Sequence, residues 1–189
     1  GAGDISQVAS QLSDHLSHGS HAQNPFSSLR GRVLVHEPIS KHTSLKIGGP
    51  AEYWIEPEDI EDLQKALALV SNHSLRLTLI GAGSNLLAPD EGLQGAVVHL
   101  GQPFFRQVWM QDGLLHARTG VPNTLFIQSA LDNGLGGCEF LLGIPGNIGG
   151  AIAMNAGSHG QWIGPRVQSV TTVGYDGHLR RRGSGEIPF

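Results

Sequence analysis

A short apolar run, Leu75-Arg76-Leu77-Thr78-Leu79-Ile80, feeds directly into Gly81-Ala82-Gly83-Ser84-Asn85-Leu86-Leu87. Glycines at the end of a buried strand expose consecutive backbone N–H groups, and such a nest is a concave anion site suited to a pyrophosphate. Ser84 and Asn85 add side-chain donors, so the natural guest is a dinucleotide. Two familiar phosphate loops fail on spacing. A P-loop needs Gly-Lys-Ser/Thr, and the Rossmann fingerprint needs a third glycine where Leu86 stands and a helix directly afterwards. Here Ala88-Pro89-Asp90-Glu91-Gly92 makes a turn, followed by an expected strand over Ala96–Leu100. Taken alone, the segment reads equally as a nucleotide loop of another fold or as a tight turn.

A second constellation runs from Gly134 to Gly160, GLGGCEFLLGIPGNIGGAIAMNAGSHG, where small and apolar residues alternate with almost no charge. Pro145, Asn147, Asn155 and the interior glycines would break any membrane-spanning helix. Gly146-Asn147-Ile148-Gly149-Gly150-Ala151 would let the main chain approach a flat ring and its phosphates, and Asn155 offers a partner for the edge of a heterocycle. The alternative is a glycine-rich turn packing two small subdomains. The chain has 27 glycines, and a third cluster, Gly48-Gly49, closes the loop His42-Thr43-Ser44-Leu45-Lys46-Ile47.

Composition narrows the partner. A net charge of -4 and a pI near 6.2 give no general electrostatic reason to bind nucleic acid or an anionic membrane, so neither is expected. Cys138 is the sole cysteine, which excludes an intramolecular disulfide and a cysteine-rich zinc site. His15, His18 and His21 recur at a spacing of three, but without a cysteine or carboxylate set no metal is expected. The first residues, GAGDISQVASQLSDHLSHGSH, lack the basic start and apolar middle of a secretory signal, and a cytoplasmic protein is expected.

The elements that must position these loops follow from periodicity. Strands are expected at Arg32–Val35, Ala51–Ile55, Leu75–Ile80, Gln107–Met110 and Leu114–Arg118, the last two joined by a Gln111-Asp112-Gly113 turn. Ile60, Leu63, Ala66, Leu67 and Val70 predict an amphipathic helix whose acidic first turn is solvated and complements the helix dipole. A second helix starts at Asn123 or Thr124, either of which can cap it, and ends at Gly134.

Three motifs stand in an order that resembles the UDP-N-acetylenolpyruvoylglucosamine reductases of peptidoglycan synthesis. They are His42-Thr43-Ser44-Leu45-Lys46-Ile47-Gly48-Gly49-Pro50-Ala51, then Gly81 to Leu87, then Gly143-Ile144-Pro145-Gly146-Asn147-Ile148-Gly149-Gly150-Ala151 with Asn155-Ala156-Gly157. The resemblance implies an α+β, two-subdomain FAD-binding fold of the vanillyl-alcohol-oxidase (PCMH) type, lacking the C-terminal substrate domain. Residues 1–27 would be a flexible polar tail or frayed helix, 28–100 a first FAD-binding subdomain and 101–189 a truncated second one. FAD would lie between the two. Gly81, Ala82, Gly83, Ser84, Asn85 and Leu86 would hold its pyrophosphate. Pro145, Gly146, Asn147, Gly149 and Gly150, with Asn155 and Gly157, would contact the adenosine or the flavin ring, and Thr43 would shape the first subdomain's side of the cleft. In such enzymes NADPH reduces FAD, and the flavin passes hydride to UDP-N-acetylglucosamine enolpyruvate, giving UDP-N-acetylmuramate.

The chain also departs from the family. After a segment like Glu186-Ile187-Pro188-Phe189 the family continues with Gly-Tyr-Arg-x-Ser and a third domain bearing the proton donor. No catalytic residue is therefore carried over, any being expected beyond Phe189, and the chain alone is expected to be inactive. A non-catalytic flavin-binding or regulatory module of the same fold is the alternative. Ser158-His159-Gly160 stands where Ala-Tyr-Gly is common, and Lys46 where Arg is frequent.

Overall fold

The computed structural model describes residues 24–189. The His15, His18 and His21 spacing lies outside the described residues, as does most of the expected tail. At its described end that tail is already part of the fold, because Phe26 is fully buried in the core.

Four strands form the main sheet: β1 (Arg32–Pro38), β2 (Pro50–Glu56), β3 (Leu77–Ile80) and β4 (Leu93–His99), in the order β1-β2-β4-β3. β1 is antiparallel to β2, whereas β2, β4 and β3 run parallel. The registers Ile55↔Val98 and Ile80↔His99 align the carboxyl ends of the three parallel strands along one edge. Ligands of open parallel sheets bind at that edge, and the glycine loop after Ile80 leaves from it.

Alternation along the strands assigns the two faces. Ile55, Ala96 and Val98 meet α1 (Ile60–Asn72), whose Leu63, Ala66, Leu67 and Val70 share one helical face. Trp54, Ile80 and Val97 point the other way, against Ile39 and Ala88 from the surrounding loops. Both faces are covered, and each large apolar side chain so buried contributes about 1.5–3 kcal/mol before entropy is counted. The loops that carry the first two motifs are thus seated on a rigid sheet.

Asp59 caps α1 by accepting the Asp62 N–H at 3.0 Å, as the acidic start of the helix suggested. Asp62 itself is not solvated. It is 2% exposed and accepts the backbone N–H groups of Arg30 (3.0 Å), Gly31 (2.8 Å) and Glu58 (3.1 Å), tying the start of β1 to the helix.

The second half begins with a hairpin of β5 (Val108–Gln111) and β6 (Leu114–Ala117), turning at Asp112 and Gly113 with φ of 50° and 75°. Such left-handed pairs match the twist of the flanking strands. Then come α2 (Asn123–Asp132), α3 (Ile148–Ala153), a minimal hairpin of β7 (Gly157–Ser158) and β8 (Gln161–Trp162), and the hairpin of β9 (Ser169–Val173) and β10 (Leu179–Gly183). Val121, Ile127, Phe140, Leu141, Ile148, Ala151 and Ile163 form its core. The last hairpin returns to the first half, where Gln64 Nε2 donates to the Gly177 carbonyl at 2.6 Å and Val173 packs on the α1 cluster.

Two elements differ from expectation. The cap of α2 is Pro122, with no side-chain bond, because Asn123 is drawn elsewhere. The short helix α3 was hidden by its glycines, which carry low helix propensity; the Asn147 side chain initiates it by accepting the Gly150 N–H. No helix among the described residues is long and apolar enough to cross a membrane.

Burial pushes the Asp62 carboxyl up, but its three backbone donors outweigh that and hold it below its ordinary 3.8. A carboxylate depressed on folding stabilises the fold above its unfolded pKa and loses that contribution as pH falls through the folded value. Asp62→Ala strands buried donors and should lower urea stability by about 2–4 kcal/mol at neutral pH. The gap to the unsubstituted protein should shrink as pH is lowered below 3.8.

Candidate functional site

The site is built from main chain that approaches main chain. Gly83 has φ of 64°, and a Cβ there would lie 2.0 Å from the His42 carbonyl oxygen and 2.9 Å from the Thr43 Cα. Only glycine admits both the left-handed conformation and that contact. The approach is locked by the Ser44 N–H, which donates to the Gly83 carbonyl at 3.0 Å. The first two motifs are therefore side by side.

The third motif meets them. Ser84 Oγ donates to the Pro145 carbonyl at 3.0 Å, and a Cβ on Gly81 would sit 3.0 Å from Asn147 Oδ1. Gly146, at φ of 139°, faces Ser84 Oγ, with 3.4 Å between that oxygen and the position of a Cβ. Gly81, Gly83, Ser84, Pro145, Gly146 and Asn147 are thus drawn together from segments more than sixty residues apart, as the Ser84–Pro145 separation of 61 shows.

The junction leaves main-chain donors over. Among the described residues, the N–H groups of Ala82, Gly83, Ser84, Asn85, Leu86, Gly146 and Asn147 donate to no protein acceptor. Buried backbone donors are rarely left without a partner, and of these Gly83 is buried while the others are open to solvent or a ligand. The neighbouring carbonyls are spent, with Ile144 accepting from Asn123 Nδ2 at 3.0 Å, Pro145 from Ser84 and Gly146 from the Asn123 N–H at 3.1 Å. The two loops carry idle donors and no ionisable side chain. That chemistry holds an anion through neutral dipoles and offers no group to move a proton.

Other expected site residues are used internally. Thr43 is 2% exposed and donates through Oγ1 to the Ile47 carbonyl at 2.9 Å, so it shapes its own loop. Gly149 has a packing reason to be glycine, since a Cβ would fall 1.8 Å from Thr119 Oγ1, and its N–H donates to the Thr119 carbonyl. The Gly150 N–H goes to Asn147 Oδ1. Asn155 Oδ1 accepts the Gly164 N–H at 3.0 Å, leaving its amide nitrogen for another partner, and Gly157 lies against Gln161 and Trp162 in the β7–β8 hairpin. Asn155 and Gly157 sit beyond the far end of α3 from the junction. Asn123, read from sequence as a helix cap, is the junction residue that sequence reasoning missed; nothing in its spacing announces a contact to Ile144.

Behind the loops, the His42 ring stacks on Trp54 at 3.9 Å and 18° and meets Glu37 Oε1 at 3.0 Å. Burial pushes the Glu37 carboxyl up, but hydrogen bonds and charge from His42 and Lys41 hold it below its ordinary value. The pair fixes the backbone against which Gly83 packs. A surface hollow of about 340 Å³ lies elsewhere, between α1, β3 and the β9–β10 turn, lined by Leu67, Val70, Ser71, Leu75, Leu77 and Tyr175. It shares no residue with the glycine loops.

The FAD binding domain family matches residues 51–183, most of the chain. The chain belongs to this FAD-binding family. It is 41% identical over 162 residues to the UDP-N-acetylenolpyruvoylglucosamine reductase of Pelobacter propionicus, covering 86% of this chain and 54% of that relative. The enzyme of the same name from Geobacter metallireducens is 41% identical over 163 residues, with the same coverage. The crystal structure of UDP-N-acetylenolpyruvylglucosamine reductase from Thermus caldophilus superposes with a TM-score of 0.66 at 30% identity, over 84% of this chain and 54% of that one. The chain thus spans about half the length of the relatives it matches. 6-Hydroxy-D-nicotine oxidase from Arthrobacter nicotinovorans, at 15% identity and a TM-score of 0.60, covers 87% of this chain and 38% of its own and shares the fold. The α+β, PCMH-type architecture expected from the motifs is therefore present.

FAD is the cofactor of this domain family, and the junction fits it. The idle N–H groups suit a pyrophosphate, and the glycines at 81, 83 and 146 let the loops meet so that those donors stand together. Exposed apolar side chains lie in or beside all three motifs: Leu45 and Ile47, Leu87, and Leu142 and Met154. A planar hydrophobic partner would cover such groups at little cost. Gly83→Ala should force the loop off His42, weakening FAD binding by tenfold or more and lowering the melting temperature, as read by flavin fluorescence titration and calorimetry. Gly113→Ala, with a Cβ meeting nothing within 4 Å, should leave FAD affinity unchanged.

Proposed function

We propose that this chain is the flavin-binding part of a UDP-N-acetylenolpyruvoylglucosamine reductase, an enzyme that uses NADPH to reduce UDP-N-acetylglucosamine enolpyruvate to UDP-N-acetylmuramate for the cell wall. The observation that carries the reading is the meeting of Gly81–Ser84 with Pro145–Asn147, which brings the family-like motifs to one point in a chain 41% identical to reductases of that name. In this reading Gly81, Ala82, Gly83, Ser84, Asn85 and Leu86 hold the pyrophosphate of FAD through the idle main-chain donors. Ser84 contributes by clamping the Pro145 carbonyl, while Asn85 keeps its side chain for the ligand. Pro145, Gly146, Asn147, Gly149 and Gly150 form the facing wall, Thr43 supports it from behind, and Asn155 and Gly157 extend it past α3. Bound FAD would supply the capacity to accept hydride from NADPH and deliver it to the substrate double bond.

The chain's own residues, in this account, bind and orient. The glycine loops contain no acid or base, so protonation of the substrate carbon belongs to residues outside them. NADPH and the UDP-sugar are intracellular metabolites, which supports a cytoplasmic location. A rapid-mixing experiment tests the reading. The protein reconstituted with FAD should lose its yellow absorbance on anaerobic addition of NADPH, and a protein of the relatives' full length should regain it when UDP-N-acetylglucosamine enolpyruvate is added. A full-length protein whose reduced flavin ignores that substrate would exclude the assignment.

A further inference from the structure

Asn123 opens α2 yet does not serve that helix. It is 2% exposed, and its hydrogen bonds cross to the loop before α3, where Nδ2 donates to the Ile144 carbonyl and the main-chain N–H donates to the Gly146 carbonyl. Ser84 holds the carbonyl between them. Three successive carbonyls are thereby fixed, two of them by one residue. Because a trans peptide points its N–H opposite its C=O, holding the Pro145 and Gly146 carbonyls also sets the directions of the Gly146 and Asn147 N–H groups. Those are among the idle donors.

This arrangement leaves one buried polar atom unserved. Asn123 Oδ1 is buried without a partner. A leucine would remove that orphan but would also strip the Ile144 carbonyl of its Nδ2 donor, so the two effects on stability oppose each other while the hold on the loop is lost. We propose that Asn123 is a positioning residue of the cofactor site, which trades an orphaned amide oxygen for control of the Ile144–Asn147 turn. The proposal rests on the reading of that junction as the FAD site. Asn123 acts through the loop and does not touch the cofactor.

The test compares wild type with Asn123→Leu in two readouts: melting temperature without FAD, and FAD affinity from quenching of flavin fluorescence. The expected result is a melting temperature within about 3 °C of wild type, with FAD bound roughly tenfold more weakly. Unchanged affinity overturns the proposal. So does a loss of affinity matched by a comparable loss of cofactor-free stability, because that is the signature of a purely structural residue. Should Asn123→Leu fail to fold, Asn123→Ser, too short to reach the Ile144 carbonyl, is read by the same two criteria. Wild type that binds no FAD would refute the reading of the junction itself, whereas wild type and variant binding equally well would refute only the role of Asn123.

Discussion

Main chain can press this closely on a neighbouring loop only where the approaching residue lacks a Cβ, and this protein places that condition at the carboxyl end of β3. Gly83 rests on the His42 carbonyl, Gly81 faces Asn147, and Gly146 faces Ser84. A methyl group at Gly83 would overlap backbone, which cannot rotate out of the way as a side chain can. From this constraint follow the left-handed φ of Gly83, the Ser44–Gly83 hydrogen bond that locks it, and the seating of the His42 loop on the sheet by Trp54. The rest of the fold can be read as scaffolding that delivers three loops to one point.

On the proposed reading, such a junction would bind a pyrophosphate without investing charge. The chain is net acidic, and neither glycine loop contains a lysine or arginine. Neutral N–H dipoles held at fixed angles interact with a pyrophosphate without the rotamer entropy that long cationic side chains lose on binding. The arrangement requires rigidity behind the donors, which the three-stranded parallel core and the Ile144 to Gly146 carbonyl clamps supply. It also separates binding from proton transfer, because a site of glycines, amides and hydroxyls titrates nothing near neutral pH.

Much of this was legible in the sequence, for identifiable reasons. The α1 helix and the hairpin at Asp112-Gly113 obey local rules of periodicity and turn chemistry, and both lie where expected. The convergence of the motifs was accessible through their resemblance to a known family, since spacing alone cannot say that residue 84 meets residue 145. What escaped local reading was long-range. Asp62 sits in an acidic helix start that looks solvated, and only the tertiary return of Arg30 and Gly31 makes it a buried acceptor. Asn123 follows a proline at a helix start, where a cap is the sensible expectation, but the loop at 144–146 competes for it and wins. Gly149 was read as room for a ligand, and the structure gives it a packing reason in Thr119.

Amide NMR of the isotopically labelled protein with and without FAD reads each idle donor of the two loops separately. If those donors receive the cofactor, the largest shifts fall on the N–H resonances of Ala82 to Leu86, Gly146 and Asn147. Resonances that stay unmoved there, while those around Leu67, Leu77 and Tyr175 respond, would contradict that assignment.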